Sequence, residues 1–160
     1  SSFGQTQTVT MVQMLGGFSS LINGGNYFQP HVVKEIRNSS GDVLETIDPL
    51  VVKKTTSEDT SAMIRSFLKS TVEEGTASPA QVKGYSIGGK TGTAQKRPVS
   101  ERKYLVSFIG CVPAEDPDIA YYVIMDEPHV KDQAHSTYAT EFASRLMKKV
   151  LPLLGQYATK

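Results

Sequence analysis

Gly84-Tyr-Ser-Ile-Gly-Gly-Lys-Thr-Gly-Thr-Ala-Gln95 is the stretch on which the reading of this chain turns. Gly84-x4-Gly89-Lys90-Thr91 has the spelling of a phosphate-binding loop, and Tyr121-Tyr-Val-Ile-Met-Asp126 imitates the apolar strand that ends in a magnesium-holding Asp. Such a loop needs a buried strand running into Gly84 and a helix opening at Lys90, whose first amides point at phosphate. Ala77-Ser-Pro-Ala-Gln-Val-Lys83 contains Pro79 and one large aliphatic residue, so it makes a poor strand. Thr91 to Pro98 carries Gly92, ends in proline and has no apolar stripe, so it makes a poor helix. The same letters read better as a strand from Tyr85 to Gln95. Thr91 and Thr93 then share one face while Lys90 takes the other. Two hydroxyls line an acceptor site with an ammonium close behind, and Gly92 keeps the edge bare. A carboxylate would bind there with its own backbone laid along the strand. The plain alternative is a glycine-weakened edge strand whose lysine discourages aggregation.

Outward from this stretch the pattern is mixed. Tyr104-Leu-Val-Ser-Phe-Ile-Gly-Cys-Val112 and Ile119-Ala-Tyr-Tyr-Val-Ile-Met125 are apolar runs rich in aromatic and β-branched residues, joined by Pro113 to Asp118, and read as neighbouring antiparallel strands. Pro128 ends the second, and helical spacing resumes through Tyr138, Phe142, Leu146 and Val150 until Pro152. On the N-terminal side, Met11, Met14, Leu15, Phe18 and Ile22 define a helix over about Val9 to Asn23, stopped by Gly24-Gly25. Gly16-Gly17 inside it costs about 1 kcal/mol per residue against Ala, which points to close packing at that turn. His31 to Ile36 and Val43 to Ile47 form a hairpin across Asn38 to Asp42. Thr56-Ser57-Glu58-Asp59 caps a second helix, with Met63, Ile64, Phe67, Leu68, Thr71 and Val72 on one stripe before Gly75. The order helix, hairpin, helix, three strands, helix predicts an α+β fold with a mostly antiparallel sheet flanked by helices.

Ser66-x-x-Lys69 has the spacing of a serine nucleophile and its lysine base. On a helical projection, stepping about 100° per residue, both side chains fall away from the apolar cluster. Ser66 is also mid-helix, without the helix N-terminus that favours developing negative charge. We expect it to be a surface residue.

The 160 residues suit one domain. Seventeen Lys and Arg against sixteen Asp and Glu leave a formal charge of +1, which disfavours nucleic acid as a partner. At 39% hydrophobic and 21% charged the chain belongs among folding sequences. A single cysteine, Cys111, rules out an internal disulfide. Cys111, His129 and His135 show no ligand spacing, so no metal and no cofactor are expected. No apolar run is long enough to span a membrane.

Several longer stretches together resemble the C-terminal part of a class B penicillin-binding protein, a peptidoglycan D,D-transpeptidase. They are Ser2-Phe-Gly-Gln5 with the Thr-Val-Thr-Met-Val-Gln-Met helix, Asn23-Gly-Gly-Asn-Tyr-Phe-Gln-Pro30 and Val72-Glu-Glu-Gly-Thr-Ala77. Gly88-Gly-Lys-Thr-Gly-Thr-Ala-Gln95, Ser107-Phe-Ile-Gly110 and Met125-Asp-Glu-Pro128 complete the set. The resemblance implies a transpeptidase fold related to the serine β-lactamases and a serine acyl-enzyme. Stem peptides ending in D-Ala-D-Ala would be the substrates and β-lactams the inhibitors. It implies catalytic roles for Lys90 and Thr93, the latter's amide being an oxyanion donor. It assigns substrate binding to Thr91, Gly92 and Thr93, with the two hydroxyls holding the carboxylate and Gly92 leaving room for the acyl chain. A β-lactam sensor or a serine β-lactamase would share these features. The family's nucleophile motif and its Ser-x-Asn motif normally precede the Lys-Thr-Gly strand. Ser-x-Asn does not occur in this chain, and Ser66, which begins a Ser-x-x-Lys, is unsuitable. The expectation is therefore that residues 1–160 are the C-terminal portion of a transpeptidase domain, inactive alone and ordered with the missing N-terminal part. That protein would be anchored in the cell membrane with its catalytic domain outside.

Overall fold

The structure is a computed structural model that describes residues 7–158; Ser2-Phe-Gly-Gln5 therefore lies outside the described residues. Thr10 caps helix α1, Met11–Ile22, in a complete capping box: its hydroxyl accepts from the Gln13 amide, and the Gln13 side chain accepts from the Thr10 amide. Gly24 and Gly25 follow with φ of +79° and +92°, a backbone that ends the helix and that a Cβ would strain. The close packing expected at the double glycine holds on one side only. Gly16 lies against the Tyr27 ring, whereas nothing comes within 4 Å of the Cβ position of Gly17.

The predicted hairpin is present as β2, Glu35–Arg37, against β3, Val43–Thr46. The structure adds a flanking pair: β1, Asn26–Phe28, runs antiparallel to β4, Val51–Lys54. At three and four residues these strands are too short to show periodicity, and they pair across the whole hairpin.

Helix α2, Glu58–Glu73, starts at Ser57, whose hydroxyl accepts from the Thr60 amide, with Glu58 and Asp59 in the first turn where the helix dipole favours them. A third of its expected apolar stripe is exposed. Leu68 and Val72 are inside, but Met63 and Phe67 are 58% and 64% exposed. Polar contacts hold its first turns to α1: Ser61 Oγ accepts from the Gly24 amide at 2.9 Å, and Arg65 donates to the Ile22 carbonyl at 2.8 Å.

The main sheet is three-stranded in the order β5-β6-β7, formed by Gly88–Gln95, Tyr104–Val112 and Ile119–Asp126, all antiparallel. Tyr85-Ser-Ile87 precedes the first strand rather than belonging to it. Helix α3, Thr137–Leu153, carries Pro152 within its last turn. The two faces of the sheet bury separate cores. On one, Phe108, Val106, Val112 and Val123 pack with Ala139, Ala143, Met147 and Leu151 of α3. On the other, Cys111 packs with Leu68 of α2 and with Phe18 and Ile22 of α1. Each fully buried large aliphatic or aromatic side chain contributes about 1.5–3 kcal/mol.

Candidate active-site wall

Strand β5 lies at one edge of the sheet, and its register fixes what its residues face. Thr91 stands opposite Phe108 and Thr93 opposite Val106, placing both threonines on the face that α3 covers. Lys90 and Gly92 stand opposite Ile109 and Ser107, on the face covered by α1 and α2. The two-faced arrangement expected from the sequence is therefore the one observed. No helix opens at Lys90; the residue is inside a strand, and the phosphate-loop reading of Gly84 to Thr91 has no structural basis.

The hydrogen-bond phase of the ladder matters as much as the faces. Gln95 pairs with Tyr104, and one step on the Lys96 amide donates to the Lys103 carbonyl at 2.8 Å. In an antiparallel ladder the residues that exchange bonds alternate with those that do not. Even-numbered residues of β5 thus bond to β6, and the amides of Thr91 and Thr93 point to the open edge. An extended peptide laid along that edge meets them directly.

Lys90 and Thr93 are exposed and Thr91 is half-buried. Although Lys90 leaves the strand on the α2 face, its stem curls round the edge. Its Nζ donates to the Thr91 carbonyl at 3.1 Å and to Thr91 Oγ1 at 3.3 Å. The ammonium and the Thr91 hydroxyl are thus adjacent, as the sequence suggested. Thr76 is also there, and sequence reasoning missed it: its Oγ1 lies 3.5 Å from Thr91 Oγ1 although the residues are 15 apart in sequence. Val72-Glu-Glu-Gly-Thr-Ala77 marked the segment without giving Thr76 a task. A Cβ at Gly92 would come within 2.6 Å of Ser107 Oγ, so a larger residue there would have to turn that hydroxyl aside.

Beyond Gln95 the strand is tied down by charge. Lys96 Nζ is 3.0 Å from Asp126 Oδ1 and 2.6 Å from Glu127 Oε1, and Lys103 pairs with Glu101 and Glu127. Lys96 and its neighbours hold the Glu127 carboxyl below its usual range, the hydrogen bond from Lys96 being the main cause. Asp126 and Glu127 are thus paired with cations rather than with each other.

Ser66 is exposed, as expected, but Lys69 is half-buried and engaged. Its Nζ lies 2.6 Å from Glu115 Oε1 and 3.6 Å from Glu73 Oε1. The hydrogen bond to Glu115 raises the Lys69 pKa, opposite to what a base at neutral pH requires. Both residues border an open groove of about 360 Å³ with Ala62, Arg65, Ala114 and Glu115, outside the Lys90 to Thr93 wall. Cys111 is buried in β6 and desolvation pushes its thiol up to about 11, making it an inert core residue. His135 bonds Asp132 at 2.9 Å. Among the described residues no three His, Cys, Asp or Glu side chains form a cluster able to hold a metal ion.

Comparison with known proteins fits this geometry. The family described as penicillin binding protein transpeptidase domain matches residues 1–148. The chain is 41% identical to stage V sporulation protein D of Bacillus subtilis (strain 168), over 97% of this chain and 25% of that protein. It is 32% identical to penicillin-binding protein PbpB of Mycolicibacterium smegmatis, over 78% of this chain and 21% of that protein. Among solved structures, the D,D-transpeptidase domain of a peptidoglycan glycosyltransferase from Eggerthella lenta superposes with a TM-score of 0.77 at 26% identity. That match covers 92% of this chain and 33% of the other. The ampicillin complex of Mycobacterium tuberculosis penicillin binding protein 3 gives 0.80 at 24% identity over 98% and 37%, a likeness of fold. The chain spans about a quarter of the length of the curated relatives it matches.

Proposed function

The chain belongs to the penicillin-binding protein transpeptidase family, and from that premise we propose that it supplies the Lys-Thr-Gly wall of a peptidoglycan D,D-transpeptidase active site. The attacking serine comes from the part of the domain outside this chain. The observation that carries the proposal is the edge of β5, where two outward amides, two threonine hydroxyls and the Lys90 ammonium share one open strand.

In this reading a stem peptide ending in D-Ala-D-Ala adds to β5 as a further strand, and its terminal carboxylate accepts from the Thr91 and Thr93 hydroxyls in the field of Lys90. The serine hydroxyl attacks the penultimate D-Ala carbonyl. An ester forms as the peptide bond breaks, and terminal D-Ala leaves with the serine's proton on its amine. An amine from a neighbouring stem peptide then attacks the ester, forming the cross-link amide and returning the proton to serine. The Thr93 amide, aimed at the open edge, donates to the oxyanion of both tetrahedral intermediates; donors of this kind are worth about 2.7–4 kcal/mol. A β-lactam uses the same carboxylate contacts and is trapped at the ester.

The remaining portion of the domain is the partner that covers Met63 and Phe67 of α2 and Met11 and Val12 of α1, which this chain leaves about half or more exposed. Among the described residues no helix is long and apolar enough to cross a membrane; in this reading the anchor that holds the catalytic domain on the outer side of the cell membrane lies elsewhere in the full-length protein. The test is fluorescent penicillin added to the full-length protein, followed by peptide mapping. Covalent label on a serine outside residues 1–160 is expected. No label, or label on Ser66, overturns the reading. Prompt release of the label by hydrolysis would make the protein a β-lactamase instead.

A further inference from the structure

Thr76 takes no part in the substrate contacts proposed above, yet its hydroxyl oxygen lies 3.5 Å from that of Thr91. Its placement is not accidental to a loose loop. Helix α2 ends at Glu73, and the amides on either side of Thr76, those of Gly75 and Ala77, both donate to the Thr71 carbonyl at 3.1 Å. Ala77 is completely buried, and Gln81 Nε2 donates to the carbonyls of Val72 and Glu73 at 2.8 and 3.0 Å. A Cβ at Gly75 would stand 2.8 Å from the Thr71 carbonyl, so this tight wrap excludes a larger residue there. Thr76 itself is exposed, carried on a fixed backbone beside the free edge of β5.

The donor and acceptor inventory then decides what the three groups can do together. Lys90 Nζ has hydrogens to give and no lone pair to accept with, so the Thr91 oxygen accepts from it. The single Thr91 proton has two destinations: Thr76 Oγ1, or an anion at the edge. When an anion accepts the hydrogen bond from Thr91, the Thr76 hydroxyl turns and donates to Thr91 instead, so that Thr91 remains satisfied and its proton stays aimed at the ligand.

We propose that Thr76 is a positioning residue of the transpeptidase site, which orients the Thr91 hydroxyl toward the substrate or β-lactam carboxylate without touching either. The inference rests on the proposed transpeptidase reading and adds to it a residue on a different element, the end of α2.

The experiment uses the full-length protein and the second-order rate of acylation by a labelled penicillin. Thr76→Val keeps the shape and loses the hydroxyl; Thr76→Ala is the second removal should the branched apolar side chain disturb folding, which thermal denaturation reports. Either should lower the rate about three- to tenfold, the range of one neutral hydrogen bond, and Thr76→Ser should restore most of it. In a Thr91→Val background the same change at Thr76 should have no further effect, because the hydroxyl it orients is gone. An undiminished rate in Thr76→Val and Thr76→Ala, an equal loss with and without Thr91, or no recovery in Thr76→Ser would overturn the proposal. A wild-type protein that takes up no penicillin would instead sink the transpeptidase reading on which it rests.

Discussion

Lys69 Nζ is held 2.6 Å from Glu115 Oε1, across the junction between α2 and the turn that joins β6 to β7. That contact uses the lysine which a Ser66 nucleophile would need. The hydrogen bond from Lys69 also lowers the Glu115 pKa, so both partners favour their charged forms. Replacing Ser66 with Ala is therefore expected to leave penicillin labelling of the full-length protein unchanged in rate and extent. A loss of label in that variant would restore Ser66 as a catalytic candidate.

The same pair predicts how stability follows pH. A carboxyl whose pKa is depressed by folding stabilises the fold fully above its ordinary value, about 4.3, and the contribution is lost as pH falls through the folded value. Lys69, whose pKa is raised, contributes fully below about 10.4 and the contribution is lost as pH climbs through its folded value. Thermal midpoints of the wild type minus those of Glu115→Gln should be flat between those limits and shrink at both ends. The pair is solvated, so salt should compress the difference throughout. A difference that peaks outside the window would contradict the pairing.

Two strands of the main sheet, β6 and β7, were legible because they are long, apolar, bounded by prolines and close in sequence. The arrangement of β5 was legible for a different reason: Lys90, Thr91, Gly92 and Thr93 are consecutive, so period-two alternation alone assigns their faces. Thr76 was not, since its approach to Thr91 depends on how α2 ends and on Ala77 being drawn into the core. The pairing of Asn26–Phe28 with Val51–Lys54 escaped for the same reason, being specified across an intervening hairpin. The exposure of Met63 and Phe67 leaves part of their helix stripe uncovered while Leu68 and Val72 are buried. Periodicity reports which face is apolar, whereas what covers that face is decided by other segments.

Two glycines make opposite predictions. At Gly89 a Cβ would collide with the Phe108 ring and stand 2.7 Å from the Ile109 carbonyl, and Phe108 is completely buried with no room to turn. Gly89→Ala should destabilise the protein by about 1–3 kcal/mol, the usual range for overpacking a filled core. Gly17 is inside α1 with nothing within 4 Å of its Cβ position. Gly17→Ala should stabilise it by up to about 1 kcal/mol through helix propensity. Chemical denaturation of the two variants checks both signs.

Thr93 provides the most direct test of the wall itself. It is exposed, so removing its hydroxyl should move stability by no more than about 0.5 kcal/mol. Its amide faces the open edge whatever its side chain, because Thr93 and Val106 form a pair that does not exchange backbone bonds. Thr93→Val therefore removes one donor to the carboxylate while leaving the oxyanion donor in place. A hydrogen bond to a charged group is worth about 1.5–3 kcal/mol, which corresponds to a loss on the order of ten- to a hundredfold in acylation by a carboxylate-bearing β-lactam. The loss should be regained in Thr93→Ser and should be much smaller toward the methyl ester of the same compound, whose ester oxygens accept more weakly. Equal losses toward acid and ester would mean that Thr93 acts through the strand's shape and not through its hydroxyl.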